Sequence, residues 1–141
     1  TGDAPLSLAQ ILPLAGAVIV STPQEVALQD VRRGIAMFEK LRVPNLGVVE
    51  NMSYFICDNC QERHEIFSHG GAAQAAESAG VSLLGEIPLD PRVRKGGDEG
   101  CPPVTEGTGN TIARAYVDVA QRITVELSRL NAARPEPLPV L

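Results

Sequence analysis

Two short apolar segments, residues 17–20 and 46–49, constrain the fold of this chain most. Neither shows the polar alternation of a half-exposed strand, and unbroken apolar runs of this kind are typical of strands covered on both faces of a parallel sheet. A helical pattern lies between them, so the sequence predicts a β-α-β unit. With a third strand predicted over residues 82–87, the fold class is α/β: an open, mostly parallel sheet with flanking helices.

The helix between the first two strands is predicted over residues 22–41, opening with a capping box. Thr22 is placed at the N-cap, Pro23 at the first helical position and Glu25 at the third. Its apolar face is predicted to contain Val26, Val31, Ile35, Phe38 and Leu41.

Three further helices are predicted, over residues 3–12, 70–79 and 112–130. The last has the clearest pattern, with apolar residues at steps of three and four. Apolar contacts of the first are assigned to Leu6, Leu8, Ile11 and Leu12. Residues 91–109 are predicted to contain turns and no helix or strand. Residues 134–141 are predicted to form a proline-rich, extended tail.

Composition excludes several classes of function. The net charge is −5 and basic residues are scattered, so no nucleic-acid partner is expected. The longest apolar run, residues 11–20, is interrupted by proline and glycine and is too short to span a membrane, so no membrane insertion is expected. Three cysteines form no disulfide framework, which predicts a reducing compartment: the cytoplasm, or an organellar stroma or matrix.

The most specific chemical signal is the pair Cys57 and Cys60, within a polar segment (54–67) whose ends read as arms of a small hairpin, residues 54–56 and 65–67. Two thiolates at this spacing hold a metal ion or one edge of an iron–sulfur cluster, but a complete site needs four ligands. His64 and His69 would complete a zinc site in one chain, or a second chain would supply its own two cysteines. A redox dithiol is disfavoured because a hairpin arm, not a helix, follows the pair. Cys101, before two prolines, reads as an incidental thiol.

Three residues after predicted strands fall at the edge where open α/β sheets bind ligands. Asn51 follows the second strand, and Pro88 and Asp90 follow the third. The Asn51 amide has the donor and acceptor to pair with a nucleotide base, although on this motif alone a local turn cap is the favoured explanation of the asparagine. No G-x-x-x-x-G-K-[ST] phosphate loop occurs in the 141 residues, and no catalytic set stands out.

Several motifs together resemble the Mrp/ApbC family of iron–sulfur cluster carrier ATPases, of the MinD/ParA-like deviant Walker A P-loop class. They are T-G-D-x-x-L-S-L-A-Q, V-P-N-L-G-V-V-E-N-M-S-Y-F-x-C-x-x-C, I-F-S-H-G-G-A and L-L-G-E-I-P-L-D-P-R-V-R. The likeness covers about residues 1–104.

The resemblance implies a homodimeric ATPase using ATP and Mg²⁺, which binds a [4Fe-4S] cluster between two subunits and passes it to apo iron–sulfur proteins. Cys57 and Cys60 would be the cluster ligands and Asn51 the adenine contact, with Pro88 and Asp90 beside the base. Asp3 would be the switch aspartate. Residues 1–133 would form the C-terminal part of the ATPase domain, with the phosphate loop upstream, so this stretch alone is not expected to hydrolyse ATP.

The cysteine segment departs from the family pattern C-P-x-C-G. Asp58, Asn59 and Gln61 stand around the cysteines instead, which predicts a looser turn and added negative charge. Two other interpretations remain: a non-enzymatic zinc-binding structural or interaction module, and a MinD-like positioning ATPase with a vestigial cysteine pair. The latter calls for an amphipathic membrane-targeting tail, and residues 134–141 are too rich in proline for one.

Overall fold

A computed structural model describes residues 3–107 and 109–133 of the chain. Three parallel strands form the central sheet in the order β1-β2-β5, and a two-stranded antiparallel hairpin (β3, β4) stands beside it. The strands are β1 Ala17–Ser21, β2 Asn45–Glu50, β3 Phe55–Ile56, β4 Arg63–His64 and β5 Leu83–Glu86. The helices are α1 Asp3–Ile11, α2 Glu25–Lys40, α3 Gly71–Ser78, α4 Pro91–Glu99 and α5 Thr111–Ala132, with a 3-10 turn over Pro103–Glu106.

Helices cover both faces of the sheet, which confirms the predicted α/β class. Val48 and Val49, adjacent on β2, point to opposite faces and are both buried. On the Val48 side, α2 and α3 contribute Leu28, Val31, Ile35, Ala72, Ala75 and Ala76. On the Val49 side, Leu84, Ile87 and Val119 complete a second core under α5. Because β2 is buried on both faces, its sequence is apolar without alternation.

Strands β2 and β5 approach each other closely at Gly47. Its φ of +149° is strained for residues with a side chain, and a Cβ there would lie 2.3 Å from the Ser82 carbonyl oxygen. The carbonyl instead accepts a hydrogen bond from the Val48 N–H at 2.9 Å. Glycine at this position therefore permits the pairing of the two strands.

Helix α2 begins later than the sequence predicts, so the predicted capping box is wrong. Gln24 is the N-cap, without a side-chain capping bond, and Glu25 is the first helical residue. The preceding Pro23 is buried, and its carbonyl oxygen lies 3.2 Å from where a Cβ on Gly71 would be, so the segment packs against the start of α3. Packing of this segment takes precedence over a local cap. Val26 is consequently 78% exposed, and Leu28 occupies the core instead.

Helix α1 forms where predicted, but the apolar contacts predicted for Leu8, Ile11 and Leu12 are wrong, while Leu6 is half-buried. No residue of α1 is buried, and Leu8, Ile11 and the following Leu12 are 52%, 77% and 48% exposed. The spacing of these apolar residues predicts a helix, but it does not tell which other element the helix packs against.

Helix α4 lies in the segment expected to contain only turns, so that prediction is wrong. The start signal is present in the sequence: Asp90 is the N-cap and Pro91 the first helical residue, the position where proline is favoured. Gly100 ends the helix with a left-handed φ of +71°. The high glycine and charge content of the segment obscured these signals.

The other elements follow the sequence closely. Helix α5 is confirmed, with Asn110 as a side-chain cap. Helix α3 ends in a Schellman motif around Gly80, whose N–H donates to the Glu77 carbonyl while the Val81 N–H donates to that of Ala76. The second hairpin arm lies about two residues earlier than predicted, with His64 opposite Phe55. The predicted tail, residues 134–141, lies outside the described residues.

Candidate functional site

The two cysteines lie in a closed turn at the tip of the hairpin. The Cys57 N–H donates to the Glu62 carbonyl at 3.0 Å, and the Gln61 N–H donates to the Cys57 carbonyl at 2.8 Å. Gln61 has a left-handed φ of +61°, which glycine would adopt without strain, and its side-chain amide donates to the Asp58 carbonyl at 3.1 Å. The turn therefore forms without the glycine and proline of the family pattern, and its predicted looseness stays a prediction.

The environment of Cys57 favours its thiolate. The pKa of the Cys57 thiol is lowered from its ordinary value, chiefly because the backbone N–H of Cys60 donates to the sulfur. The Asn59 N–H and the Cys60 side chain act in the same direction, whereas desolvation and the Asp58 carboxylate oppose them. Cys57 is half-buried and Cys60 exposed. Since the thiolate is the form that binds metal, the hydrogen bonds of this turn favour Cys57 as a metal ligand.

The lowered pKa of Cys57 is expected to appear in its alkylation rate. Cys57 should reach its half-maximal rate with iodoacetamide at a lower pH than the cysteine of a short unstructured peptide, because the thiolate is the reacting species. Asp58→Asn should shift the Cys57 profile to still lower pH, since it removes a charge that raises this pKa. Mass spectrometry of alkylated peptides across a pH series measures these profiles. Superimposed profiles for Cys57 and the reference peptide would contradict the expectation.

The predicted nucleotide-side residues share one edge of the sheet. The segment that follows β2 remains hydrogen-bonded to the segment that follows β5. The Ser53 N–H donates to the Ile87 carbonyl at 2.9 Å, and the Leu89 N–H donates to the Tyr54 carbonyl at 2.7 Å. Asn51 and Pro88 lie within these paired segments. The Oδ1 atom of Asn51 accepts the Met52 N–H at 3.0 Å, which is a local turn contact. Since β3 starts directly after Tyr54, the edge leads without a linker into the cysteine hairpin.

Asp90 lies at the same edge as the N-cap of α4. Its Oδ1 accepts the backbone N–H of Arg92 at 2.8 Å, and its Oδ2 pairs with an Arg92 guanidinium nitrogen at 2.6 Å. The pKa of the Asp90 carboxyl is lowered, first by the side-chain hydrogen bond from Arg92. Asp90 therefore stabilises α4, whatever its role towards a nucleotide.

Removal of the Asp90 cap is expected to cost about 1 kcal/mol of folding free energy at neutral pH, the usual value for a side-chain N-cap. Because the pKa is lowered in the folded state, this stability is present above the ordinary aspartate range and is lost as the pH falls through the folded pKa. Urea unfolding of the parent and Asp90→Ala at pH 7 and in acid checks this. An undiminished difference in acid would contradict it.

A buried carboxylate at this edge was missed by sequence reasoning. Glu50, at the end of β2, is 1% exposed. Its Oε1 accepts the Ser53 hydroxyl at 2.6 Å, and its Oε2 accepts the Ala72 N–H in the first turn of α3 at 2.9 Å. Glu50 thus joins the end of β2 to the segment leading into the hairpin and to α3. An acidic residue directly after four apolar strand residues was the available signal.

The two histidines fall into different sets of neighbouring ligand atoms. Within the described residues, one set, here called the hairpin group, contains Cys60, Glu62 and His64. The other, the edge group, contains Glu50, His69 and Glu86. The predicted zinc set of both cysteines and both histidines is therefore divided between two places.

Asp3, the predicted switch aspartate, is exposed in the first turn of α1. The described contacts do not test its role, which stays a prediction. In the part of the chain that the structure describes, no helix combines the length and apolarity needed to cross a bilayer.

Comparison with known proteins agrees with this arrangement. A family model described as the NUBPL iron-transfer P-loop NTPase matches residues 1–124. The chain belongs to this family. Its membership confirms the resemblance drawn from the motifs and gives the parallel sheet with its flanking helices a place in the P-loop NTPase fold.

Among the relatives of this NUBPL-family chain is the "Iron-sulfur protein required for NADH dehydrogenase, mitochondrial" of Arabidopsis thaliana, 52% identical over 93% of the chain and 42% of that protein. The "Iron-sulfur cluster carrier protein" of Escherichia coli is 46% identical over 90% of the chain and 34% of that protein. The chain thus spans less than half the length of these relatives.

Among solved structures, a nucleotide-binding protein from Archaeoglobus fulgidus, described as in complex with ADP and with Co found, is 33% identical. It matches 99% of this chain and 47% of its own, with a TM-score of 0.57.

Proposed function

We propose that this chain is part of an iron–sulfur cluster carrier that holds a [4Fe-4S] cluster between two copies. The observation that carries the proposal is the closed, solvent-accessible turn holding Cys57 and Cys60, with backbone N–H groups directed at the Cys57 sulfur. Such a cluster takes four thiolates, and each hairpin has two, so two chains related by a two-fold axis would complete the site. The names of the Arabidopsis and Escherichia coli relatives support the same cargo.

The cluster is the cargo of the protein, and its delivery needs a site that opens. Each chain contributes only two thiolates at an exposed tip, so separation of the two hairpins would release half of the ligands at once. Apo iron–sulfur proteins are the expected acceptors. Because the three cysteines are unpaired, we place this function in the cytosol or in an organellar stroma or matrix; the Arabidopsis relative is named as mitochondrial.

We also propose that ATP binding and hydrolysis by the full-length protein drive loading or transfer. The 141 residues contain no phosphate loop, so we assign to them the part of the nucleotide site that contacts the base. Asn51, Pro88 and Asp90 would lie beside the base at the sheet edge, and Asp3 would be the switch residue. Support comes from the continuity between that edge and the hairpin, since Asn51 lies only six residues before Cys57. The Archaeoglobus fulgidus neighbour, a complex with ADP, supports a nucleotide on this fold.

Anaerobic reconstitution of the full-length protein tests the proposal. A brown dimer with about four irons and four sulfides per two chains is the expected result. The dimer should transfer its cluster to an apo acceptor faster with ATP and Mg²⁺ than without them, and Asn51→Ala should weaken ATP binding. A colourless monomer that retains one zinc per chain would refute the carrier function. Transfer unaffected by ATP would refute the coupling alone.

A further inference from the structure

The cysteine hairpin presents a second set of ligand atoms that a bridging cluster does not use. In the hairpin group, one atom each of Cys60, Glu62 and His64 lie within 4.8 Å of one another. The Cys60 sulfur and a Glu62 carboxylate oxygen are 3.8 Å apart. Ligand atoms bound at about 2.0–2.3 Å to a tetrahedral ion stand about 3.3–3.8 Å from each other. One ion would therefore join these side chains with little movement of the hairpin.

The spacing of the three residues follows from the hairpin itself. Glu62 and His64 are two residues apart where the chain enters β4, and side chains two apart in extended chain lie on one face. Cys60 lies before the left-handed Gln61, and this turn brings its sulfur to within 3.8 Å of a Glu62 carboxylate oxygen. The pairing of His64 with Phe55 fixes the register of β4, and the bond between Cys57 N–H and the Glu62 carbonyl holds the segment before it. The backbone thus presents one sulfur, one oxygen and one nitrogen donor on the same side.

We propose that Cys60, Glu62 and His64 of a single chain bind one divalent transition-metal ion, Fe(II) or Zn(II), as an alternative to the bridging cluster. A thiolate, a carboxylate and an imidazole form a donor set of intermediate softness, which suits these ions. Mg²⁺ and Ca²⁺ prefer oxygen alone, and Cu(I) prefers sulfur. Three protein ligands leave a fourth position for water or for a donor from another molecule.

Charge and exposure favour such an ion. The thiolate and carboxylate together neutralise its two positive charges, and binding releases the thiol proton of Cys60 to solvent without any electron transfer. All three ligands are exposed, so the ion can enter and leave without opening the fold.

The two states share one ligand and therefore exclude each other on a given chain. Cys60 would be a ligand in both, whereas Cys57 serves only the bridging cluster and His64 and Glu62 only the single ion. This exclusion rests on the proposed carrier function. After the cluster has left and the two chains have separated, the hairpin of a single chain could therefore bind one metal ion.

Co(II) is the probe for the test, since a Co(II)–thiolate bond gives an intense charge-transfer absorption. The full-length, metal-free protein is titrated anaerobically with Co(II), and Zn(II) is then added to displace it. His64→Ala and Glu62→Gln should each lower Co(II) affinity by at least roughly tenfold, the smallest loss usual even for changes outside the ligand shell. His69→Ala is the matched control, because His69 belongs to the edge group, and it should bind Co(II) as the parent does.

Cluster content measured on the same variants separates this inference from the carrier function. Cys57→Ser should lose the cluster and keep Co(II), whereas His64→Ala should keep the cluster and lose Co(II). Unchanged Co(II) affinity in His64→Ala, equal losses in His64→Ala and His69→Ala, or loss of Co(II) in Cys57→Ser would each overturn the single-ion site. A parent protein that binds Co(II) through these residues but never assembles a cluster would refute the carrier function and leave the ion site standing.

Discussion

Replacing either Cys57 or Cys60 by serine is expected to reduce the cluster content of the reconstituted protein to background. Because the proposed site is symmetric, one substitution in the sequence removes two of the four thiolates, and the remaining pair cannot hold the cluster. The fold should survive, since both residues lie in the hairpin tip and neither contributes to the two cores. Iron and sulfide assays after anaerobic reconstitution measure the loss, and far-ultraviolet circular dichroism measures the fold.

Cys101→Ser is the matched control for these two variants. Like Cys60, Cys101 is exposed and forms no disulfide, but it follows α4 and lies outside the hairpin. Its replacement should leave iron and sulfide content at the parent level. Retention of the cluster in Cys57→Ser or Cys60→Ser would contradict the ligand assignment, and a loss in Cys101→Ser would make Cys101 a ligand candidate.

Replacing Glu50 by alanine is expected to lower the free energy of unfolding by about 3–5 kcal/mol. The carboxylate accepts two hydrogen bonds in a buried place, and bonds to a charged group contribute about 1.5–3 kcal/mol each. Alanine would leave the Ala72 N–H without its acceptor and the Ser53 hydroxyl without its partner. Urea unfolding followed by circular dichroism measures the difference.

Two further variants keep this prediction testable if Glu50→Ala does not fold. Glu50→Gln should cost only about 1 kcal/mol, because its amide oxygen can accept the Ala72 N–H while its amide N–H donates to the Ser53 oxygen. Glu39→Ala, at an exposed position of α2, should stay within about 0.5 kcal/mol of the parent. A Glu50→Ala variant as stable as Glu39→Ala would show that the buried carboxylate does not hold the edge together.

Elements whose signals are local can be predicted from the amino-acid sequence. Residues 46–49 are apolar without alternation because both faces of β2 are covered, and that pattern predicts a parallel sheet. Residues 17–20 have the same pattern and form a parallel strand, but the expected cover on both faces is wrong for β1, since it lies at the edge of the described sheet and Val20 is 61% exposed. The repeat from Ile112 onward predicts α5, and the spacing of Cys57 and Cys60 predicts a ligand turn without any knowledge of its neighbours. Each of these sequence signals lies within a single turn, strand or helix.

Contacts between segments that are distant in the sequence depend on how the elements pack in three dimensions. Packing of Pro23 against the start of α3 moves the beginning of α2 beyond its predicted cap. The partner of Glu50 on α3 lies 22 residues away, so no local pattern could reveal it. The hairpin register likewise places His64 beside Cys60 and Glu62, whereas His69, beyond the hairpin, lies near Glu50 and Glu86. Periodicity records which face of an element is apolar, but which side chains meet depends on how the elements pack.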